Sequence, residues 1–441
     1  MIPSFAAPTR MRNAATSSTW PATLGLLAAA LAMGAIFVWI AKRPNINACV
    51  PEFIALMLAV GVLYFATIYL VERFRLGALA LLVVLAGAVV FRLIWLPLPP
   101  ALSDDVYRYQ WEGRVQRGGQ NPYTVTPSSL PAIQDRAHPI ETGRTVPTLY
   151  PPLTELSFRW IKTVQGYKRL YTALDVASIL ALLLLLAVSK LPPHRVLIYA
   201  WNPAVIVAFA LSGHHDSLAI LTLVAAVLFI IVQRPKLSIA FLGLSFLSKF
   251  FPVLLLPGLL KRSKAKYAGI FAGLVALAYL PFSSAGLKIT KGLFDYAAGW
   301  EGNDSAFRLL LLAGNSKGQA ELIAVVIVLA IVAFTLKNRV EPARAGLILM
   351  TAMLLISPNA FPWYFTWIVP FLCIYPSRPV LLLTVTCVLG YAPVVTYSAG
   401  QPYIHTPLMT ALEYAPVYLW LGWLAVKKIR APKSESLPAT D

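Results

Sequence analysis

The amino-acid sequence predicts an all-α polytopic membrane protein with about 12–14 transmembrane or re-entrant helices. Of its 441 residues, 58% are hydrophobic and only 12% are charged. Successive apolar runs of about 20 residues have the length that a helix needs to cross the hydrocarbon core. The runs lack the two-residue alternation of a β-barrel strand, and lipid offers no partners to backbone polar groups, so we expect helices.

Basic residues between the apolar runs predict the topology, because Lys and Arg concentrate in cytoplasmic loops. They flank the first two runs and also end the hydrophobic part of the chain at residues 427–430, so we expect both termini in the cytoplasm. The net charge of +19 is therefore interpreted as a topology signal, and we predict no nucleic-acid partner. The residues that flank the first two runs are Arg10, Arg12, Arg73 and Arg75.

Two long polar segments then fall on the extracytoplasmic side, the first loop at residues 98–168 and the second loop at residues 285–305. We expect residues 1–441 to form a single membrane domain that contains both loops. A long ordered loop in a compact domain is usually functional, so we predict that the first loop is the catalytic one.

The segment at residues 237–260 has the length of one span but carries basic residues at both ends. A single crossing would place one of the two basic clusters on the wrong side of the membrane. Its middle reads Ser248-Lys249-Phe250-Phe251-Pro252, and the proline can break a helix. We therefore predict two short or re-entrant helices that meet near Lys249, which is either functional or a lysine that snorkels to the outer surface.

The first loop opens with two adjacent acidic residues directly after a span. A helix that begins near Ser103 would align four side chains at spacings of three and four: Asp105, Arg108, Tyr109 and Glu112. The carboxylates of Asp104 and Asp105 could supply a general base, or they could only cap the helix N-terminus. Ser103 could do that capping alone, which favours the functional interpretation.

Most of the other polar and aromatic clusters also fall on the extracytoplasmic side. His214 and Asp216 could bind an acceptor sugar or a divalent cation, although two ligands are too few to define a metal site. The aromatic residues could stack on sugar rings, and an interfacial aromatic belt would explain them equally well. The candidate substrate-binding residues are Tyr109, Glu112, Tyr150, His214, Asp216, Asn303, Trp363 and Tyr364.

The sequence contains no Walker A motif and no glycine motif of the dinucleotide-binding kind. It also offers no soluble domain for a nucleotide-dependent enzyme. Any energy for chemistry must therefore arrive with the substrate, for example as an activated membrane lipid. The sequence requires no cofactor; a divalent metal is possible, and its identity is unknown.

The order of these motifs resembles bacterial GT-C glycosyltransferases, and in particular the polyprenol-phosphate-mannose-dependent mannosyltransferases. The resemblance covers most of the chain between residues 101 and 367. It rests on the order and the sidedness of the motifs together, and it includes the hairpin around Lys249. The other motifs are Asp104-Asp105-Val106-Tyr107-Arg108-Tyr109-Gln110-Trp111-Glu112, Asn121-Pro122-Tyr123, Leu149-Tyr150-Pro151-Pro152, Trp201-Asn202-Pro203, Gly213-His214-His215-Asp216, Asn303-Asp304-Ser305-Ala306-Phe307-Arg308 and Pro362-Trp363-Tyr364.

This resemblance implies a glycosyltransferase of a bacterial inner membrane with a periplasmic or extracellular active site. A sugar, mannose by resemblance, would pass with inversion from a polyprenyl-phosphate donor to a lipid-linked or cell-envelope glycan. An aspartate of the first loop would deprotonate the acceptor hydroxyl. Alignment on Arg108 and the tyrosine after it favours Asp105, and Asp104 would then orient that base or bind a metal. Lys249 is the first candidate for the donor phosphate, with Arg108 and Arg308 behind it.

Two other functions suit a chain of this composition. A transporter or flippase for lipid-linked sugars would predict inverted repeats and mid-membrane polar groups in both halves, and the sequence shows neither. A non-catalytic scaffold for envelope assembly would tolerate the loss of either Asp104 or Asp105.

Overall fold

The computed structural model describes residues 20–430, apart from positions 136, 139, 141, 142 and 402. The described part of the chain is helical and contains no β-strand. Arg10 and Arg12 lie outside the described residues. In chain order the α-helices are α1 (Trp20–Ala41), α2 (Val50–Arg73), α3 (Ala78–Trp95), α4 (Asp105–Arg117), α5 (Pro152–Trp160), α6 (Val164–Val188), α7 (Leu197–Ala200), α8 (Pro203–Ile206), α9 (Asp216–Ile231), α10 (Pro235–Phe246), α11 (Leu256–Lys261), α12 (Ala268–Tyr279), α13 (Lys291–Gly299), α14 (Ala306–Leu312), α15 (Lys317–Lys337), α16 (Pro342–Ile356), α17 (Val369–Leu372), α18 (Arg378–Thr386), α19 (Val394–Ser398) and α20 (Pro407–Arg430).

Seven helical segments of the described chain are long and apolar enough to cross a membrane. Large apolar side chains on them, such as Leu82 and Leu329, are exposed rather than packed, as expected for helices that face lipid. The predicted class, an all-α multi-pass membrane protein, is confirmed. The seven segments are Trp20–Ala41, Ile46–Arg73, Ala78–Trp95, Val164–Val188, Ala265–Gly299, Lys317–Lys337 and Arg378–Ser398.

The apolar segment at residues 193–211 is bent and not one straight helix. Its two halves, Pro193–Ala200 and Pro203–Leu211, meet at an angle of 58°. Pro203 has no N–H to donate, and the side chain of Asn202 accepts hydrogen bonds from the backbone N–H groups of Ala204 and Val205. The second half is thus a newly capped helix and not a continuation of the first.

A buried ion pair supports this bend from the neighbouring spans. Arg92 on α3 forms a salt bridge with Asp175 on α6, and both side chains are almost fully buried. The guanidinium also donates to the carbonyl oxygen of Ala200, at 2.8 Å, where α7 ends. The arginine thus satisfies a backbone group that the break would leave without a helical partner. The pair is therefore part of the scaffold.

Two short helices form the hairpin around Lys249. Helix α10 ends at Phe246, and a second apolar helix at Phe251–Lys261 follows after a turn. The Lys261 ammonium donates to the carbonyl oxygen of Leu336, at 2.7 Å, near the C-terminal end of α15. The basic cluster at residues 261–266 thus lies beside Lys337, the basic last residue of α15. The two short helices predicted to meet near Lys249 are present.

The two loops contain more helix than the sequence suggested. The first loop holds α4 and α5, and α6 already begins at Val164. The second loop is helical as far as Gly299, after a kink at Gly286, where φ is +54°. The loops pack closely: a Cβ atom on Gly292 would lie 2.2 Å from the carbonyl oxygen of Thr148. Only glycine allows that approach, so this contact fixes the second loop against the first.

Candidate functional site

The acidic pair lies at the start of α4. Asp105 is the first residue of the helix, and the hydroxyl of Ser103 accepts a hydrogen bond from its backbone N–H at 3.3 Å. Asp104 occupies the N-cap position without a side-chain capping bond. Capping therefore falls to Ser103, and both carboxylates are available for other contacts.

The carboxylate of Asp105 faces an imidazole. Its Oδ2 atom lies 3.4 Å from Nδ1 of His214, and the Asp105 side chain is one-third exposed. The same imidazole nitrogen lies 3.5 Å from the hydroxyl of Tyr109. The His214 ring is buried and stacks on Trp363, with the ring centres 4.0 Å apart. Packing thus fixes the imidazole edge against the carboxylate.

Asp104 reaches a different part of the chain. Its Oδ2 atom accepts a hydrogen bond from the hydroxyl of Tyr397 at 3.1 Å. The Asp104 side chain is exposed at the surface, and nearby protein atoms partly desolvate its carboxylate. This desolvation, followed by the neighbouring charge of Asp105, raises the pKa of Asp104 above its ordinary value. The two adjacent carboxylates thus have different partners, and each can have its own role.

Lys249 lies in an acidic and aromatic setting at the turn of its hairpin. Its ammonium is 3.1 Å from Oδ1 of Asp216, whose side chain is fully buried. The same carboxylate oxygen accepts a hydrogen bond from the indole N–H of Trp367 at 2.8 Å. The ammonium also lies over the rings of Tyr364 and Trp367, at 5.0 and 5.5 Å from their centres. Lys249 is therefore held by one carboxylate and two aromatic faces.

A four-residue turn at 213–216 connects these two groups. Gly213 has φ +79°, and a Cβ atom there would lie 2.9 Å from the Lys168 side chain, so glycine suits both the backbone and the packing. The turn then presents His214 to Asp105 and Asp216 to Lys249. The carboxylate of Asp105 and the ammonium of Lys249, which are far apart in sequence, thus contact the same turn.

The third residue of this turn, His215, lies inside a cluster of aromatic rings. Tyr150 and Tyr109 contact it edge-on, with ring centres 5.0 and 5.4 Å away, and both tyrosines are buried. Burial, followed by the charge of Lys249, lowers the pKa of His215 to about 3, so the imidazole is neutral near pH 7. Tyr109 and Tyr150 thus pack the turn, and contact between these two tyrosines and a substrate stays a prediction.

The guanidinium of Arg108 is fully engaged by the first loop. It donates to Glu112, at 2.7 Å, and to the carbonyl oxygens of Gly143 and Val146. Glu155 lies beside Glu112. Burial raises the pKa of Glu155 well above its ordinary value, and the charge of Glu112 raises it further. Arg108 and Glu112 therefore hold the loop together, and a role in binding substrate stays a prediction for both.

Asn303 and Arg308 lie in and just after the second loop, with partners of their own. The buried amide of Asn303 donates to the carbonyl oxygen of Ala360 and to the carboxylate of Glu413. Arg308 is half-exposed and forms a salt bridge with Asp304, at 3.1 Å. The structure thus places the predicted residues in four groups: one around Asp105, one around Lys249, the Arg108–Glu112 pair of the first loop, and one at the second loop, where Asn303 also contacts α20.

Two residues of the site were not predicted from the sequence. Trp367 follows Trp363 and Tyr364 at spacings of four and three, so helical periodicity could have found it. Tyr397 is 293 residues away from Asp104 along the chain, and no local pattern marks it. Among the described residues, no group of three or more His, Cys, Asp or Glu side chains could hold a metal ion.

Comparison with known proteins identifies the family. Residues 16–262 match the family model described as alpha-(1->6)-mannopyranosyltransferase, N-terminal domain. Residues 314–426 match a second model, the MptB C-terminal domain. A search of curated proteins gives no match. The first match spans more than half of the 441 residues and includes the acidic pair, the turn and Lys249. The chain therefore belongs to the alpha-(1->6)-mannopyranosyltransferase family, a family of GT-C membrane glycosyltransferases that transfer mannose.

Proposed function

We propose that the protein transfers mannose from a polyprenyl-phosphate donor to a lipid-linked or cell-envelope glycan. An acceptor hydroxyl, the 6-hydroxyl by the linkage of the family, attacks the anomeric carbon. The bond from that carbon to the phosphate oxygen breaks, and the polyprenyl phosphate leaves with the electron pair. The acceptor proton goes to an aspartate. Because this is a single displacement with inversion, an α-linked product requires a β-linked donor.

The observation that carries the proposal is the shared turn at residues 213–216. It contacts a carboxylate that can accept a proton and a cation that can bind a phosphate. Transfer from a sugar phosphate needs these two groups close to one another. The phosphate ester itself supplies the leaving group, so we propose that the transfer requires no organic cofactor; the chelator arm of the assay below tests for a divalent metal.

We propose Asp105 as the general base. Its carboxylate is partly exposed, as a group that meets an acceptor hydroxyl must be, and His214 fixes its orientation. When Asp105 takes the proton, His214 can hold the new carboxylic acid in the same place. Asp104 then assists, because its bond to Tyr397 anchors the start of α4.

We propose Lys249 as the residue that binds the donor phosphate. Its ammonium has three N–H donors, and the ion pair with Asp216 engages only one side of it. The remaining donors can bind phosphate oxygens, and the rings of Tyr364 and Trp367 position the ammonium. Arg308, which is half-exposed, is a second candidate for the phosphate.

We propose that this site faces the periplasm or cell exterior of a bacterial inner membrane, with both termini in the cytoplasm. The support is the hairpin. Lys249 lies at its turn, while the basic cluster that begins at Lys261 adjoins the end of α15, near Lys337. Since basic clusters favour the cytoplasm, the turn with Lys249 belongs on the opposite side.

A transfer assay with single substitutions tests the proposal. Purified protein receives a synthetic β-mannosyl prenyl phosphate and an alkyl α-mannoside, with and without a metal chelator, and products are identified by mass. We expect Asp105→Asn to lower kcat by at least about 100-fold, as loss of a general base does, and Asp104→Asn to lower it less. Asp295→Asn, in an exposed ion pair of the second loop, is the matched control. If both Asp104→Asn and Asp105→Asn keep wild-type activity, the base assignment is wrong.

A further inference from the structure

Five aromatic rings form a continuous series beside the acidic pair, here called the aromatic arc. His214 stacks on Trp363, and Trp363 stacks on Phe361 with ring centres 4.6 Å apart. The ring centre of Phe361 lies 6.0 Å from that of Tyr403, and the ring centre of Tyr403 lies 5.9 Å from that of Tyr397. These rings come from three separate parts of the chain, so the arc exists only in the folded protein.

Both ends of the aromatic arc contact the acidic pair. At one end, His214 lies 3.4 Å from the carboxylate of Asp105. At the other end, the hydroxyl of Tyr397 donates to the carboxylate of Asp104 at 3.1 Å. Because the two aspartates are neighbours in sequence, the arc and the acidic pair form a closed series of contacts that lines one area of the surface.

The middle of the arc is partly exposed and held in place. Phe361, Tyr397 and Tyr403 are each only partly buried. The hydroxyl of Tyr403 donates to the carbonyl oxygen of Gly390 at 3.0 Å, just as Tyr397 donates to Asp104. Both tyrosines thus use their hydroxyls to fix their rings. Rings that are fixed in advance lose little entropy when a ligand stacks on them.

The charge of the surface lined by the aromatic arc and the acidic pair favours a neutral, hydroxyl-bearing ligand over an anionic one. Two carboxylates repel a phosphate, and they accept hydrogen bonds from hydroxyl groups. Aromatic rings present an electron-rich face to C–H groups. A neutral sugar ring offers both hydroxyls and C–H faces, whereas the donor phosphate suits the cation at Lys249. The border between the two areas is the pair of neighbouring residues Trp363 and Tyr364, whose rings contact one another.

We propose that the aromatic arc is the subsite for the terminal sugar of the acceptor glycan. The sugar stacks on Phe361 and Tyr403, and its attacking hydroxyl meets Asp105. This inference rests on the proposed function and adds a subsite from the C-terminal part of the chain. The acceptor thus binds between the first loop and residues 361–403, and the donor binds on the Lys249 side of Trp363.

Transfer kinetics with substitutions that remove an aromatic ring but keep an apolar side chain test the subsite. Phe361→Leu and Tyr403→Leu keep apolar bulk but remove a ring face. We expect each to raise KM for an alkyl α-mannoside by about threefold to tenfold, the range for loss of one aromatic contact, with KM for the donor unchanged within about twofold. Tyr403→Phe keeps the ring but loses its hydrogen bond to Gly390, so it should raise KM for the acceptor less than Tyr403→Leu does. Phe294→Leu, at an exposed ring of α13, is the matched control.

Binding of the mannoside without any donor separates this proposal from the proposed function. We expect intrinsic tryptophan fluorescence to report binding of the alkyl α-mannoside to the wild type and weaker binding to Tyr403→Leu. If the wild type binds the mannoside in this way but uses no prenyl-phosphate donor, the donor assignment fails and the subsite stands. If Tyr403→Leu and Phe361→Leu bind the mannoside as tightly as the wild type, or if they change only the donor KM, the subsite is wrong.

Discussion

Replacing Lys249 with methionine tests both the scaffold and the phosphate site. The Lys249 ammonium lies 3.1 Å from a carboxylate oxygen of Asp216, which is fully buried. At an effective dielectric constant near 20, two unit charges at that distance attract by about 5 kcal/mol. Methionine would leave the carboxylate buried with the indole N–H of Trp367. We therefore expect Lys249→Met to lower the free energy of unfolding by about 3–5 kcal/mol.

A double substitution separates stability from donor binding. Asp216→Asn in the Lys249→Met background removes the remaining charge, and its amide oxygen can still accept from Trp367. We expect most of the lost stability to return. Donor binding should not return, because the Lys249 ammonium that contacts the phosphate is still missing. A hydrogen bond to a charged group contributes about 1.5–3 kcal/mol, so KM for the donor should stay about tenfold to hundredfold above that of the wild type.

Two measurements follow this prediction. Denaturant unfolding of the detergent-solubilised protein gives stability, and transfer at a fixed acceptor concentration gives KM for the donor. Lys291→Met, which breaks an exposed pair with Asp295, is the control and should change both quantities little. The reasoning is refuted if Lys249→Met is as stable as the control, or if the double variant regains the donor KM of the wild type.

Three further predictions concern topology, pH and loop packing. A cysteine at Ser263 should react with a membrane-impermeant reagent only from the cytoplasm, and labelling from outside would contradict the proposed sidedness. The pKa of His215 is about 3 in the folded protein and near 6.5 when unfolded, so acid protonates the unfolded state first. Stability should thus fall by about 2 kcal/mol between pH 7 and pH 5, and His215→Gln should flatten this slope in thermal unfolding. Gly292→Ala should cost about 1–3 kcal/mol in the same assay, because its Cβ would meet the Thr148 carbonyl oxygen, whereas Gly269→Ala meets no atom within 4 Å and should be tolerated.

The membrane architecture could be predicted because its constraints are local. A span needs a fixed length of apolar residues, and a basic loop marks a side, so each can be recognised within about 20 residues. The hairpin around Lys249 follows from the same two rules. The bend at Asn202 and Pro203 was missed because both halves are apolar, and apolarity alone does not distinguish a straight helix from a broken one.

The candidate site could be predicted only in part. The acidic pair, Lys249 and the turn residues His214 and Asp216 stand out as charged groups in or beside apolar segments, where charge is costly without a purpose. The residues that contact these charged groups could not be predicted from the local sequence. Arg108 has the right charge for a phosphate, but the carbonyl oxygens of the first loop engage it, and nothing in the local sequence announces those contacts.

The sequence by itself determined that this protein is a helical membrane protein, where its polar loops fall and which residue types could carry chemistry. The tertiary structure alone decided the pairing of Asp105 with His214, of Lys249 with Asp216, and of Asp104 with Tyr397. The physical reason is the range of each constraint. Burial in lipid acts on every segment separately, whereas a site depends on how segments far apart in the chain pack together.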